Sequence, residues 1–243
     1  MVKLLKRAAK ATFPGLATFM RERREQAAMR KADSRPPREI FSEIYRNNMW
    51  GGRPGEFYSG DGSGDEISAA YVQTVRRYIE THNVRSVVDL GCGDFRVGAQ
   101  LLRPGLSYIG VDVVPALVES HQRTFARDGV TFEVGDIIDG ELPTGELYLL
   151  RQVLQHLSND QINRVLAKLN DKSHVVIAEH HPAPGRFRRY NHDKPPGRDI
   201  RVAFGSGVYL DQAPFSFPCR VIATTPVPPI ITPGEMITTY AKI

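Results

Sequence analysis

Apolar positions along this chain change their period several times, and those changes mark out its elements. Over residues 67–80, Tyr71, Val75, Tyr78 and Ile79 recur at helical spacing, which predicts a helix leading into a core. Ser86-Val87-Val88-Asp89-Leu90 follows as a short β-branched run and meets Gly91-Cys92-Gly93, the pattern of a buried strand ending in a tight turn. Further strands are predicted over residues 108–112, 130–134, 147–150 and 174–178. Pro115 suits the first turn of a helix running toward Arg127. Ser158 with Gln161 three positions later forms a capping box, and Ile162, Val165, Leu166 and Leu169 continue it with one apolar face. Residues 182–201 are polar and rich in Pro, Gly and Arg, a long loop over a site. Two late β-rich runs, residues 219–225 and 236–243, are expected to pair as a closing antiparallel hairpin. Strands alternating with helices predict an α/β fold, a doubly wound and mostly parallel sheet that binds ligands at the carboxyl ends of its strands.

Composition narrows this picture. A chain of 243 residues, 41% hydrophobic, suffices for one sizeable core. Two cysteines, Cys92 and Cys219, and no cleavable signal pattern point to a reducing, cytoplasmic setting. Apolar runs such as residues 175–178 are far short of the roughly 20 residues a membrane span needs. Charge is unevenly spread: residues 1–40 hold 11 Lys/Arg against 4 Asp/Glu, so the net +5 of the chain describes a basic arm on a nearly neutral body. In that arm Val2, Leu4, Leu5, Ala8 and Ala9 share one side of a helical wheel, and Lys3, Lys6, Arg7 and Lys10 the other. Such a segment suits peripheral contact with an anionic membrane, here the inner face, or with nucleic acid, and it equally suits a solvated extension. Pro14-Gly15 stops the first helix, and Arg35-Pro36-Pro37 reads as a linker. Three regions result: an arm over 1–38, a leader over 39–66 and a catalytic body over 67–243.

The chemistry concentrates in Val87-Val88-Asp89-Leu90-Gly91-Cys92-Gly93-Asp94-Phe95-Arg96-Val97-Gly98. A strand delivers glycines into a turn, where a ligand can approach the backbone closely and a helix start offers free N–H groups. The third glycine, Gly98, comes too late for the G-x-G-x-x-G of a dinucleotide site. Asp89, just before the glycines, suits a ligand bearing an ammonium group better than one bearing phosphates.

This stretch is similar to the first motif of class I S-adenosylmethionine-dependent methyltransferases, and later segments match that family in order, over roughly residues 85–180. The resemblance implies a Rossmann-like fold, methyl transfer and S-adenosyl-L-methionine as cofactor. It assigns Asp89, Gly91 and Gly93 to the cofactor, Asp112 to the ribose hydroxyls with Val113 beside it, and Asp136 and Ile137 to the adenine. Arg151-Gln152-Val153-Leu154-Gln155-His156 resembles the segment that lines the methionine end and the transfer channel, which puts Arg151 with the cofactor residues. Upstream, residues 41–52 and Ser59-Gly60-Asp61-Gly62-Ser63 resemble the leader of bacterial methyltransferases associated with surface glycans. Trp50, the only tryptophan, reads either as the anchor of a lid that stacks on a sugar ring or as a pin for the N-terminal segment.

Methyl transfer to a hydroxyl needs alignment and a base. His156, just beyond the fourth strand, is one candidate, with packing under the capped helix as the alternative. His181 is the second: Glu179-His180-His181 ends the fifth strand, and alternation turns only one of two neighbouring histidines inward. Together with His192 and Asp193 these residues also offer donors for a divalent cation of the magnesium or manganese kind, though no compact ligand spacing marks one. Arg186, Arg188 and Arg189 with Tyr190 form either a clamp for an acidic or phosphorylated acceptor or a solvated loop. The expected partner is a small-molecule or glycan acceptor methylated on oxygen. RNA methylation is an alternative that the near-neutral body disfavours. A noncatalytic domain recruiting partners at a membrane is a third.

Overall fold

β-Branched and leucine-rich runs condense into five parallel strands: β1 (Ser86–Leu90), β2 (Ser107–Asp112), β3 (Val130–Val134), β4 (Leu147–Arg151) and β5 (His174–His181). The computed structural model describes residues 35–228 and 235–242, so the basic helix expected within the arm lies outside the described residues. The chain divides into two units between Pro36 and Pro37, and every element named here belongs to the second. β6 (Cys219–Pro226) and β7 (Met236–Lys242) complete a seven-stranded sheet of order β3-β2-β1-β4-β5-β7-β6. The last two pair antiparallel as expected, and β7 is also antiparallel to β5, so the final strand lies inside the sheet with β6 at its edge.

Alternation within each strand sends side chains into two cores. Val87, Leu147 and Leu149 pack with Tyr71, Val75 and Ile79 of α2 (Asp65–Thr81). Val88, Leu90, Tyr148 and Leu150 pack with Ile162, Val165, Leu166 and Leu169 of α5 (Asn159–Leu169). Both faces being covered, β1 and β4 are buried almost throughout, which is why they read as continuous apolar runs. The capping box holds: Ser158 Oγ accepts from Gln161 N, and Gln161 Oε1 accepts from Ser158 N at 3.0 Å. Such a cap contributes about 1 kcal/mol.

The sequence left one helix unassigned. Residues 37–46 form α1 (Pro37–Arg46), which buries Ile40, Ile44 and Tyr45. The helix expected after the glycine turn is one short turn, α3 (Arg96–Ala99), and α4 (Pro115–Thr124) opens at Pro115 as expected. β5 runs past Ala178 through Glu179, His180 and His181, the residues expected at its end, and these three pair with β7. No described helix is long and apolar enough to cross a membrane. Strand order turns back at β1, between β2 and β4, where a parallel sheet opens a crevice at its carboxyl edge.

Candidate functional site

A cleft at that crevice is lined by all eight residues expected to hold a cofactor: Asp89, Gly91, Gly93, Asp112, Val113, Asp136, Ile137 and Arg151. β1 brings Asp89 to the turn. Gly91 (φ 80°) is needed there, because a Cβ would meet Val153 Cγ2 at 2.6 Å. At Gly93 (φ 54°) a Cβ would meet Ser59 Oγ at 2.5 Å. α3 has only four residues, so the turn offers little helix dipole, and its Gly93 N–H donates instead to Asp112 Oδ2 at 3.1 Å.

Asp112 ends β2, and its Oδ1 accepts from Val114 N at 3.0 Å. Burial raises its carboxyl above the usual range, while the Val114 and Gly93 amides pull it back. Each oxygen keeps lone pairs for further donors. Asp89 Oδ2 accepts the Tyr108 hydroxyl at 2.5 Å, and burial pushes its carboxyl up to about 6 against that bond and the nearby Arg151 charge. Arg151 donates from Nη2 to Gly62 O at 2.6 Å and lies 5.4 Å from the Tyr71 ring centre, but its buried Nε has no partner. Asp136 Oδ1 accepts from Ile138 N at 2.8 Å, which tightens the turn after β3.

The other end of the cleft is aromatic. Trp50 lies 5.2 Å, centre to centre, from both Tyr45 and His156, and Phe41 lies 6.2 Å from Trp50. The leader is fastened across the glycine turn: Asp94 Oδ2 accepts from Ser59 N and Ser63 Oγ, each at 2.9 Å, and Asp94 N donates to Ser59 Oγ at 2.8 Å. Asp94, Ser59 and Ser63 stand in the motifs read from the sequence, but nothing in their spacing signals that they join.

His156 lines this end. Its Nδ1 lies 3.1 Å from Gly197 O, and a carbonyl only accepts, so Nδ1 carries the proton and Nε2 keeps its lone pair. Burial, and next the Lys194 charge, push the imidazole down to about 3, so it is neutral near pH 7. Its backbone is held from several sides, since the His156 carbonyl accepts from Gly197 N at 3.0 Å and from Lys194 Nζ at 3.3 Å. Two buried ionisable side chains fix the same turn. Glu179 takes the Leu154 and Gln155 amides at 2.9 and 3.1 Å, and Arg201 donates to the Leu154 and Leu157 carbonyls at 3.0 and 2.9 Å. Sequence reasoning offered Glu179 only as a cation donor and did not single out Arg201, because the two stand 22 residues apart and share no local motif.

His181, the second candidate base, lies outside the cleft. Its Nε2 is 3.0 Å from Val208 O and its ring stacks on Tyr209 at 4.0 Å, because alternation turns it into the packing against the 206–217 region. Glu179, His180, His192 and Asp193 are not drawn together either: among the described residues no group of three His, Cys, Asp or Glu is arranged to hold a metal ion.

Burial lifts the Glu179 carboxyl to about 8, against the pull of its amide partners and Arg201. The folded state then holds more protons than the unfolded one, so stability falls as pH rises from the ordinary glutamate range to about 8. Buried histidines such as His156 act oppositely, with stability rising with pH, but their effect is complete by about pH 7.5. Scanning calorimetry should therefore show the melting temperature falling from about pH 7.5 to about pH 8.5, and Glu179→Gln should flatten that fall. An equally steep fall in the variant would remove Glu179 as its source.

Residues 87–172 match the family described as a methyltransferase domain. A magnesium-protoporphyrin O-methyltransferase from Rhodobacter capsulatus is 30% identical over 94 residues, 37% of this chain. The chain spans less than half of that relative, 42% of its length. Among solved structures, a magnesium protoporphyrin IX methyltransferase from Synechocystis with bound S-adenosylhomocysteine aligns over 85% of this chain and 98% of its own, at 15% identity and TM-score 0.53. The same enzyme with bound S-adenosylmethionine aligns at TM-score 0.51 and 14% identity, over 86% of this chain and 99% of its own. At that identity the likeness is one of fold.

Proposed function

We propose that this chain, whose residues 87–172 match a methyltransferase domain, transfers the methyl group of S-adenosylmethionine to a hydroxyl of a small acceptor, a sugar or glycan. The observation that carries this reading is one continuous cleft with acids and glycines suited to a nucleoside at one end and a neutral imidazole beside aromatic rings at the other.

The residues fit the cofactor. Asp112 has lone pairs left for two ribose hydroxyls, and Asp136 and Ile137 suit the amine and the ring of adenine. Asp89 suits an ammonium group, whose charge would draw its raised carboxyl back down. The unpartnered Arg151 Nε suits a carboxylate. When bound, the cofactor supplies an electrophilic methyl on a sulfonium, whose sulfur leaves as a neutral thioether. His156 Nε2 takes the acceptor's hydroxyl proton as the new O–CH3 bond forms, and Gly197 holds the ring in the tautomer this requires. Glu179 and Arg201 keep the turn that carries His156 in place.

An oxygen acceptor is supported by the name of the Rhodobacter capsulatus relative, an O-methyltransferase, and a ring-bearing acceptor by Trp50, Phe41 and Tyr45. The test is S-adenosylhomocysteine release with a panel of sugars and glycans, and acceptor-dependent release is expected. No release with any of them, from protein that binds cofactor, would overturn the sugar assignment. Trp50→Ala should raise the acceptor KM about tenfold, a loss of about 1.4 kcal/mol, and leave cofactor affinity unchanged. An unchanged KM would return Trp50 to a pinning role.

A further inference from the structure

A second cavity opens beside the end of β5 and shares no described lining residue with the cleft. His180, Arg186, Arg188, Arg189, Phe204 and Glu235 are among the residues around it. Glu235 is its only acid among the described residues, and it is engaged, with Oε2 2.8 Å from His180 Nε2 and Oε1 3.8 Å from Arg186 Nη1. Among the described lining residues, three guanidiniums stand against one carboxylate, an excess of two positive charges, and burial pushes the His180 imidazole down to about 4, so that it adds none near pH 7. Arg188 and Arg189 have no ion pair or side-chain hydrogen bond with any described residue.

The segment that carries these arginines is built into the fold. Next to it, buried Asn191 donates to the Tyr209 and Ala213 carbonyls at 2.9 Å and to the Gln212 carbonyl at 3.2 Å, and its Oδ1 accepts from Tyr209 N at 2.7 Å. Phe187 and Tyr190 stand 4.9 Å apart, Tyr190 meets Tyr209 edge-on at 4.9 Å, and Tyr209 stacks on His181 at 4.0 Å. Arg188 N donates to Gly205 O at 2.8 Å, which ties the segment to the cavity's far wall. A loop needed only for connection has no use for a buried asparagine with four bonds, whereas a loop that presents charges at fixed positions does. On that wall Phe204, 44% exposed, offers an apolar face beside the guanidiniums.

We propose that this cavity binds the phosphate group of a small phosphorylated molecule, with Arg188 and Arg189 as its main donors and Phe204 against the apolar part of the ligand. A phosphate monoester carries close to two negative charges at neutral pH and accepts forked guanidinium bonds, which matches the excess charge here. The proposal does not depend on methyl transfer, and its test is read without it.

The test is calorimetric titration of the full chain with phenyl phosphate, inorganic phosphate and acetate, on wild type and on the double variant Arg188→Gln/Arg189→Gln. Wild type should bind phenyl phosphate saturably at one site, and acetate about tenfold more weakly. The double variant should lose at least about tenfold in phosphate affinity at an unchanged melting temperature, since both side chains are exposed. Arg186→Gln is the second variant and should also weaken binding. No saturable phosphate binding by wild type, equal binding by the folded double variant, or equal binding of acetate would each overturn the assignment.

Discussion

Replacing Asp112 with alanine should lower the affinity for S-adenosylmethionine by at least about a hundredfold. Hydrogen bonds to a charged group contribute about 1.5–3 kcal/mol each, two hydroxyl bonds lost together exceed 2.8 kcal/mol, and every 1.4 kcal/mol is tenfold. The variant also frees the Gly93 and Val114 amides that the carboxylate holds, so the turn after β1 and the start of α4 both loosen. Asp112→Asn separates the two effects. It keeps an oxygen for one amide and drops the charge, so its melting temperature should stay nearer the wild type while its affinity still falls. Equilibrium dialysis with labelled cofactor, read beside calorimetric melting, checks both. Near-wild-type affinity in a folded Asp112→Ala protein would remove this residue from the site.

His156→Ala should reduce kcat by about a hundredfold or more and leave cofactor affinity unchanged, the range expected for loss of a positioned base. A pH profile gives the sharper reading. With the imidazole held down to about 3, it stays a neutral acceptor across the physiological range, so kcat should be flat from about pH 6 to about pH 8. A rise in kcat centred on the ordinary histidine pKa near 6.5 would mean that the base is elsewhere or that the imidazole is wetter than its surroundings imply. His156→Gln can still donate toward the Gly197 carbonyl but offers no basic nitrogen, so its kcat should match that of the alanine variant. Recovery of turnover in the glutamine variant would show that the ring positions and does not accept the proton.

Most of the sheet was legible in the sequence because its strands are buried on both faces. Val87-Val88 and Leu147-Tyr148-Leu149-Leu150 are continuous apolar runs, and a run of that kind survives without knowledge of its neighbours. The capped helix was legible because Ser158 and Gln161 satisfy each other locally. α1 was not, since its short apolar stripe, Ile40, Ile44 and Tyr45, sits next to the Gly- and Asn-rich stretch around Trp50. The antiparallel pairing of Glu179, His180 and His181 with β7, more than fifty residues later in the chain, is reported by no local period. The acids and glycines gathered in the cleft stand at the carboxyl ends of strands, where spacing and topology agree. Of the two candidate histidines, His181 follows Glu179 and His180 on a strand whose facing is set by packing from residues 206–217, and the sequence alone does not say which side that packing takes. The Glu179 and Arg201 supports for the His156 turn are joined across a 22-residue separation of mostly irregular chain, so only the folded structure brings them together.

Calorimetric titration of the purified full chain with S-adenosylhomocysteine tests the cofactor cleft most directly, because it needs no knowledge of the acceptor. One saturable site is expected per chain, with the heat lost in Asp112→Ala and retained in His156→Ala. A folded wild-type protein that takes up neither this nucleoside nor its methylated parent would contradict the cofactor assignment, and with it the proposed reaction.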